Sequence, residues 1–148
     1  MSTDEQMTKN FKRSEFACQC GCGADRISLP LVYKLQSVRD MYGKPIIINS
    51  GVRCVAHNIA VGGSENSEHI PDSEGIGEAA DVSCTNSSDR YVLLPLLHNH
   101  FRRLGPKEKF IHCGVRASKA QDVMWLGKTP QPLKSMSKGY MTNGDGVK

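Results

Sequence analysis

Residues 29–51 read LPLVYKLQSVRDMYGKPIIINSG, a helical pattern followed at once by a strand pattern. Leu31, Leu35 and Val38 recur at helical spacing, Ser28 stands in the N-cap position, Pro30 falls in the first turn and Gly43 lies just past the end. This spacing predicts a helix over Leu29–Met41. Beyond Gly43, KPIIINSG is a short β-branched run closed by Ser-Gly, as expected of a buried strand that ends in a turn.

The pattern continues outward from this unit. CVAHNIAVGG, residues 54–63, reads as a short helix stopped by paired glycines. AADVSC, residues 79–84, has the small and β-branched character of a strand. Ser87 or Ser88 can cap a long helix through Arg103, and Pro95 inside it should bend or split it. KFIHCGV, residues 109–115, reads as a further strand, and the remainder of the chain as irregular coil with Trp125 as its one obvious anchor. Helices and strands in this order predict an α+β fold, a small and mainly antiparallel sheet flanked by helices. A chain of 148 residues accommodates one such unit. We expect an N-terminal tail over residues 1–15, a single domain over 16–125 and a basic C-terminal tail over 126–148.

Apolar residues at 39% and charged residues at 23% place the chain among globular proteins. No run reaches the ~20 apolar residues of a membrane span, and the first residues lack the apolar core of a secretory signal. Most of the net charge of +4 comes from the tail, where Lys128, Lys134, Lys138 and Lys148 face Asp145 alone. Such a tail can attract anionic polymers or simply keep a solvated end in water. It lacks the interleaved aromatics of a nucleic-acid platform, so no nucleic-acid partner is expected.

Six cysteines are many for a chain of this kind. Cys18, Cys20 and Cys22 form a C-x-C-x-C cluster, which with Cys54 makes four potential ligands for a structural zinc. The spacing is not that of a C-x₂-C knuckle, and the sequence favours free thiols or disulfides stapling the N-terminal loop to Cys54.

Of the five histidines, His98 and His100 lie two apart on a helix and diverge, and His57 reads as a structural hydrogen bonder. His69 and His112 flank extended segments near glycines. With Asp81, which ends a buried GEAAD segment and needs a cation or several donors there, they form a set that zinc hydrolases use. Spacing across separate segments leaves a purely structural role open.

INSGVRC, HNIAVGG, SEH, GEAAD and FIHCGVR, in this order and with Trp125 beyond them, together resemble the peptidase M15 family, in the branch of short zinc D-alanyl-D-alanine carboxypeptidase-like enzymes that includes phage endolysins. FACQCGCG at residues 16–23 resembles a segment with which that branch often opens. The resemblance implies the zinc D-Ala-D-Ala carboxypeptidase-like fold shared with hedgehog, and one catalytic Zn²⁺ held by His69, Asp81 and His112. It implies a substrate carboxylate held by Arg53, with Ser67 as a further donor, since a guanidinium forks onto a carboxylate with two parallel bonds. The implied activity is hydrolysis of peptidoglycan stem or cross-link peptides by a monomer. Such an enzyme would be made in a host cytoplasm and act on the cell wall after release. A non-catalytic zinc-containing cell-wall module of the same fold is the alternative.

Two departures from the family pattern are visible. Relatives in this branch usually read H-x-D at the last histidine, whereas here Gly114 stands two residues after His112. The general base must then come from elsewhere. Asp72 and Glu74 lie in a surplus loop between His69 and Asp81, which are twelve residues apart, longer than the family's spacing. Glu108 shares the strand face of His112 but lies about 13 Å away along a straight strand. These three acids are the sequence candidates for the base, with decoration of the cleft rim as the other reading of the loop.

Overall fold

A computed structural model describes residues 4–127. The predicted first helix forms as α1 (Leu29–Tyr42), capped by Ser28, whose Oγ accepts from Leu31 N, and ended by Gly43 at φ 74°. It buries Leu31, Val32, Leu35 and Val38. The strand after it is shorter than its β-branched run, β1 (Ile48–Ser50). Next come the short helix α2 (Val55–Ala60), strand β2 (Ala79–Ser83) and helix α3 (Ser87–His100). The cap of α3 is Asn86, whose side chain accepts from Asp89 N, rather than either serine. Pro95 lies within α3 without splitting it. It is exposed, so its missing N–H falls on the solvent face, while Leu93 and Leu97 anchor the opposite face.

The sequence pattern carries α3 through Arg103, but the helix ends at His100 and the chain turns into β3 (Arg103–Pro106). Polar Arg103 disguises that strand; its side chain is buried in an ion pair with Glu68. β4 (Phe110–Gly114) was expected, whereas the two-residue β5 (Val123–Met124) was not. The sheet runs β1-β2-β4-β3-β5, with antiparallel pairings except for the parallel pair β3/β5, so it is mixed.

Strand alternation then sorts the side chains. Ala80 and Val82 of β2, Leu104 of β3, and Ile111 and Cys113 of β4 join α1 and α3 in the core. The segment ahead of Phe16, expected as a tail, contributes Phe11 to that core, with its ring centroid 5.9 Å from that of Phe16. The expected basic tail lies, from residue 128 onward, outside the described residues. Among the described residues no helix is long and apolar enough to cross a membrane.

Candidate functional site

The pairing register sets one cross-strand row, Ser50, Asp81, His112 and Gly105, on β1, β2, β4 and β3. Its neighbours Ala80, Val82, Ile111 and Cys113 point into the core, so Asp81 and His112 face the other way. Trp125 packs over Gly105, where an added Cβ would come within 2.8 Å of the indole, and its ring lies 5.4 Å from that of His112. Asp81, His112 and Trp125 line a cleft of about 650 Å³.

His69 enters the cleft from a turn. Ile70 N bonds to Ser67 O at 3.1 Å, so Glu68 and His69 are the two central residues of the turn Ser67–Ile70. The turn is fixed on several sides: Arg53 N donates to His69 O, Glu78 N to Glu68 O, Arg116 Nη2 to Ile70 O, and His69 N to Ser67 Oγ. Both central side chains are thereby buried, Glu68 at 2% and His69 at 1% exposure.

The three expected ligands converge. His69 Nε2 lies 3.1 Å and His112 Nδ1 3.2 Å from the same oxygen, Asp81 Oδ1. The far nitrogen of each ring has its own acceptor: His69 Nδ1 lies 2.7 Å from Gly51 O, and His112 Nε2 lies 2.7 Å from Glu68 Oε2. A neutral imidazole that donates from one nitrogen presents a lone pair at the other. Two ring lone pairs and a carboxylate oxygen thus meet with no donor among them, an arrangement that requires a proton or a cation. Imidazole, imidazole and carboxylate are a zinc donor set, and the outer hydrogen bonds are of the kind that orient metal-binding histidines. The group could hold a metal ion.

Asp81 is held well below the ordinary carboxylate range: burial opposes ionisation, but the neighbouring His69 and His112 outweigh it. Burial pushes His69 down. His112 is raised, because its bonds to Asp81 and Glu68 overcome a burial that acts the other way.

Arg53 lines the cleft, but most of its guanidinium is engaged by the protein. Nε donates to Ser50 Oγ, Nη1 to Asn58 Oδ1, and Nη2 to Asp81 Oδ2, each at 3.0 Å. Three of its five N–H groups are used and two remain. Arg53 therefore fixes the second oxygen of Asp81 whatever it does for a ligand. Ser67 also lines the cleft.

The carboxylate that the sequence pattern conceals is Glu68. A Cβ added at Gly114 would fall directly on its carboxyl group. A side chain two residues after His112 on the strand would stand on this side of the sheet; here that space belongs to Glu68. Arg103, opposite Gly114 in the register, donates Nε to both Glu68 oxygens at 3.0 and 3.1 Å, and Arg116 N donates to Oε1 at 3.2 Å. Burial opposes the charge on Glu68, yet His112, Arg103 and Arg116 together lower its pKa. The signal was present in the sequence, an acid in SEH together with a glycine in HCG. It was masked because adjacent residues diverge on a strand, whereas Glu68 and His69 share a turn.

Asp72, Glu74 and Glu108 do not line the cleft. The Asp72 carboxylate accepts from Glu74 N and Ile76 N within its own loop, and Arg26 Nη1 reaches across to Glu74 O. Glu108 is exposed, and its carbonyl accepts from Arg90.

A second group, Cys18, Cys20, Cys22 and Cys54, lies apart on the N-terminal loop and the start of α2, and could also hold a metal ion.

Fold and site together define a small α+β domain with a metal-capable His-Asp-His centre in a cleft. The chain belongs to the peptidase M15 family, whose model matches residues 9–114, well over half of its length. Members are metallopeptidases, generally dependent on a metal ion. None of the curated proteins compared with the chain matches it.

Proposed function

We propose that the protein is a zinc-dependent peptidase that hydrolyses peptidoglycan stem or cross-link peptides, as a phage endolysin or another cell-wall lytic enzyme. The observation that carries this reading is the convergence of three acceptors, His69 Nε2, Asp81 Oδ1 and His112 Nδ1, in a cleft of a metallopeptidase domain. These residues would hold the ion, which when bound lowers the pKa of its water and polarises the scissile carbonyl. Gly51 O and Glu68 keep the two imidazoles in the tautomers that direct lone pairs inward, and Arg53 steadies Asp81.

Cations dominate the rest of the cleft: Arg53, Arg103, Lys107 and Lys119 line it against Glu68 and Asp81. Stem peptides carry free carboxylates, and the two unused N–H groups of Arg53 suit one of them. We assign Glu68 a positioning role through His112. Its oxygens already accept from Arg103, Arg116 N and His112, and donors of this kind disfavour gaining a proton.

That commitment also favours a second reading, a non-catalytic zinc-containing cell-wall module, because Glu68 and Asp81 are the only carboxylates among the described residues lining the cleft. Incubation with purified sacculi, with zinc and after chelation, decides between the two. Zinc-dependent release of new amino termini, with peptide fragments identified by mass spectrometry, is the expected result. Retention on sacculi with no new termini would establish the module instead.

A further inference from the structure

The cysteine cluster lies outside the cleft lining and is used by no step of the proposed hydrolysis. Its four sulfurs all lie within 4.8 Å of one another. Cys18 Sγ and Cys20 Sγ are 3.5 Å apart, and Cys20 Sγ and Cys54 Sγ 3.6 Å. Four thiolates around a zinc ion at about 2.3 Å form a tetrahedron whose edges are about 3.8 Å. A disulfide, by contrast, joins sulfurs in pairs at about 2.05 Å and gives no reason for four to gather at one point.

The surroundings also fit ligands rather than packed thiols. Residues 19–23 are all exposed, so no buried side chain within that stretch holds Cys20 or Cys22 in place. The loop doubles back through Gly21 and Gly23, at φ 85° and 90°, and closes with Cys18 N on Ala24 O at 2.7 Å. Two backbone N–H groups point at the sulfurs: Cys54 N lies 3.5 Å from Cys18 Sγ, and His57 N lies 3.3 Å from Cys54 Sγ. Such donors stabilise the charge of coordinated thiolates.

We propose that Cys18, Cys20, Cys22 and Cys54 bind a second, structural zinc ion that clamps the N-terminal loop onto the segment bearing Arg53. Each ligating thiol gives up its proton to solvent as its sulfur–metal bond forms, and no oxidant is involved. The clamp has a direct route to the cleft. Cys54 caps α2, Asn58 of α2 holds Arg53 Nη1, and Val52 N donates to Phe16 O across the same junction. This metal takes no part in hydrolysis; it fixes the segment from which Arg53 reaches Asp81.

The test is metal content and cobalt spectroscopy of the intact chain, purified under reducing conditions. Wild type should bind two ions per chain, and the Co²⁺-loaded protein should show thiolate-to-cobalt charge-transfer bands in the near ultraviolet with tetrahedral visible bands. His69→Ala should keep those bands. Cys20→Ser/Cys22→Ser alters only exposed loop positions; it should lose the bands and one ion while the His-Asp-His centre stays loaded. A Co²⁺ wild type without thiolate bands would overturn the proposal. So would four native thiols that react with a thiol reagent at one rate whether or not a chelator is present. Because the bands report sulfur ligands alone, this result is independent of whether the cleft proves catalytic.

Discussion

The two metal-capable groups of this molecule are built on opposite principles. His69, Asp81 and His112 are held by the fold: a cross-strand pair in the sheet, a turn bolted from several sides, and a guanidinium that fixes the carboxylate. Of the four cysteines, Cys18 is buried and Cys54 caps α2, but Cys20 and Cys22 are exposed on a glycine-bearing stretch that holds them by little else. In the first group the protein is organised before an ion arrives and keeps an open side for a substrate. In the second, the ion we propose would itself organise the loop, as in small structural zinc sites where metal binding and local folding are one event.

The largest effect expected from separating them is at His69. Replacing His69 by Ala removes one of the three proposed ligands and should reduce peptide hydrolysis to background, with the cleft losing its ion. Metal analysis together with the sacculus assay checks this. Full activity in a variant that has lost that ion would show that the His-Asp-His centre is not the catalytic site.

Glu68 gives the next largest effect and separates positioning from proton transfer. Glu68→Gln keeps an oxygen to accept from His112 but loses the charge that faces Arg103. An orienting partner of a metal ligand is worth about 10- to 100-fold in metal affinity or activity. We expect a loss of that size, with the acid limb of the kcat/KM profile retained. Disappearance of the acid limb and a rate loss beyond about a thousandfold, the middle of the range for general acid–base catalysis, would make Glu68 the general base. In the metal-free protein the sign of the pH effect is also set. The folded-state pKa of Glu68 is depressed, so its contribution to stability is complete above the ordinary value of 4.5 and is lost as pH falls through the folded value. Melting temperatures of chelated wild type and Glu68→Gln should therefore differ most above that value and converge in strong acid.

The same contrast explains how much was legible in the sequence. Elements with a periodic apolar face, α1 and α3 above all, could be read from local pattern, and so could the strands carrying Asp81 and His112. The proposed ligand set came from the family's motifs, since spacing across separate segments alone left a structural role open. What escaped was decided by partners distant in sequence. β3 looks like a charged helix end until Glu68, thirty-five residues before Arg103, neutralises the Arg103 side chain. Gly114 looks like the loss of a carboxylate until the turn at Ser67–Ile70 lays Glu68 against it. The mixed character of the sheet rests on a two-residue strand that no periodicity can announce.

The smallest expected effect concerns the surplus loop between His69 and Asp81. As a source of the general base, Asp72 or Glu74 should be worth at least about a hundredfold in turnover, the order of a general acid–base contribution. The hydrogen bonds argue for a loop that serves itself. Asp72 holds two N–H groups of its own turn, which lowers its pKa, and Glu74 meets Arg26 through its carbonyl rather than its carboxylate. Asp72→Asn and Glu74→Gln should accordingly change kcat by less than about threefold, well under the range of acid–base catalysis, with metal content unchanged. A fall of about a hundredfold in either variant, at full metal loading, would mean that the loop folds over the cleft during turnover and that closure delivers the missing carboxylate.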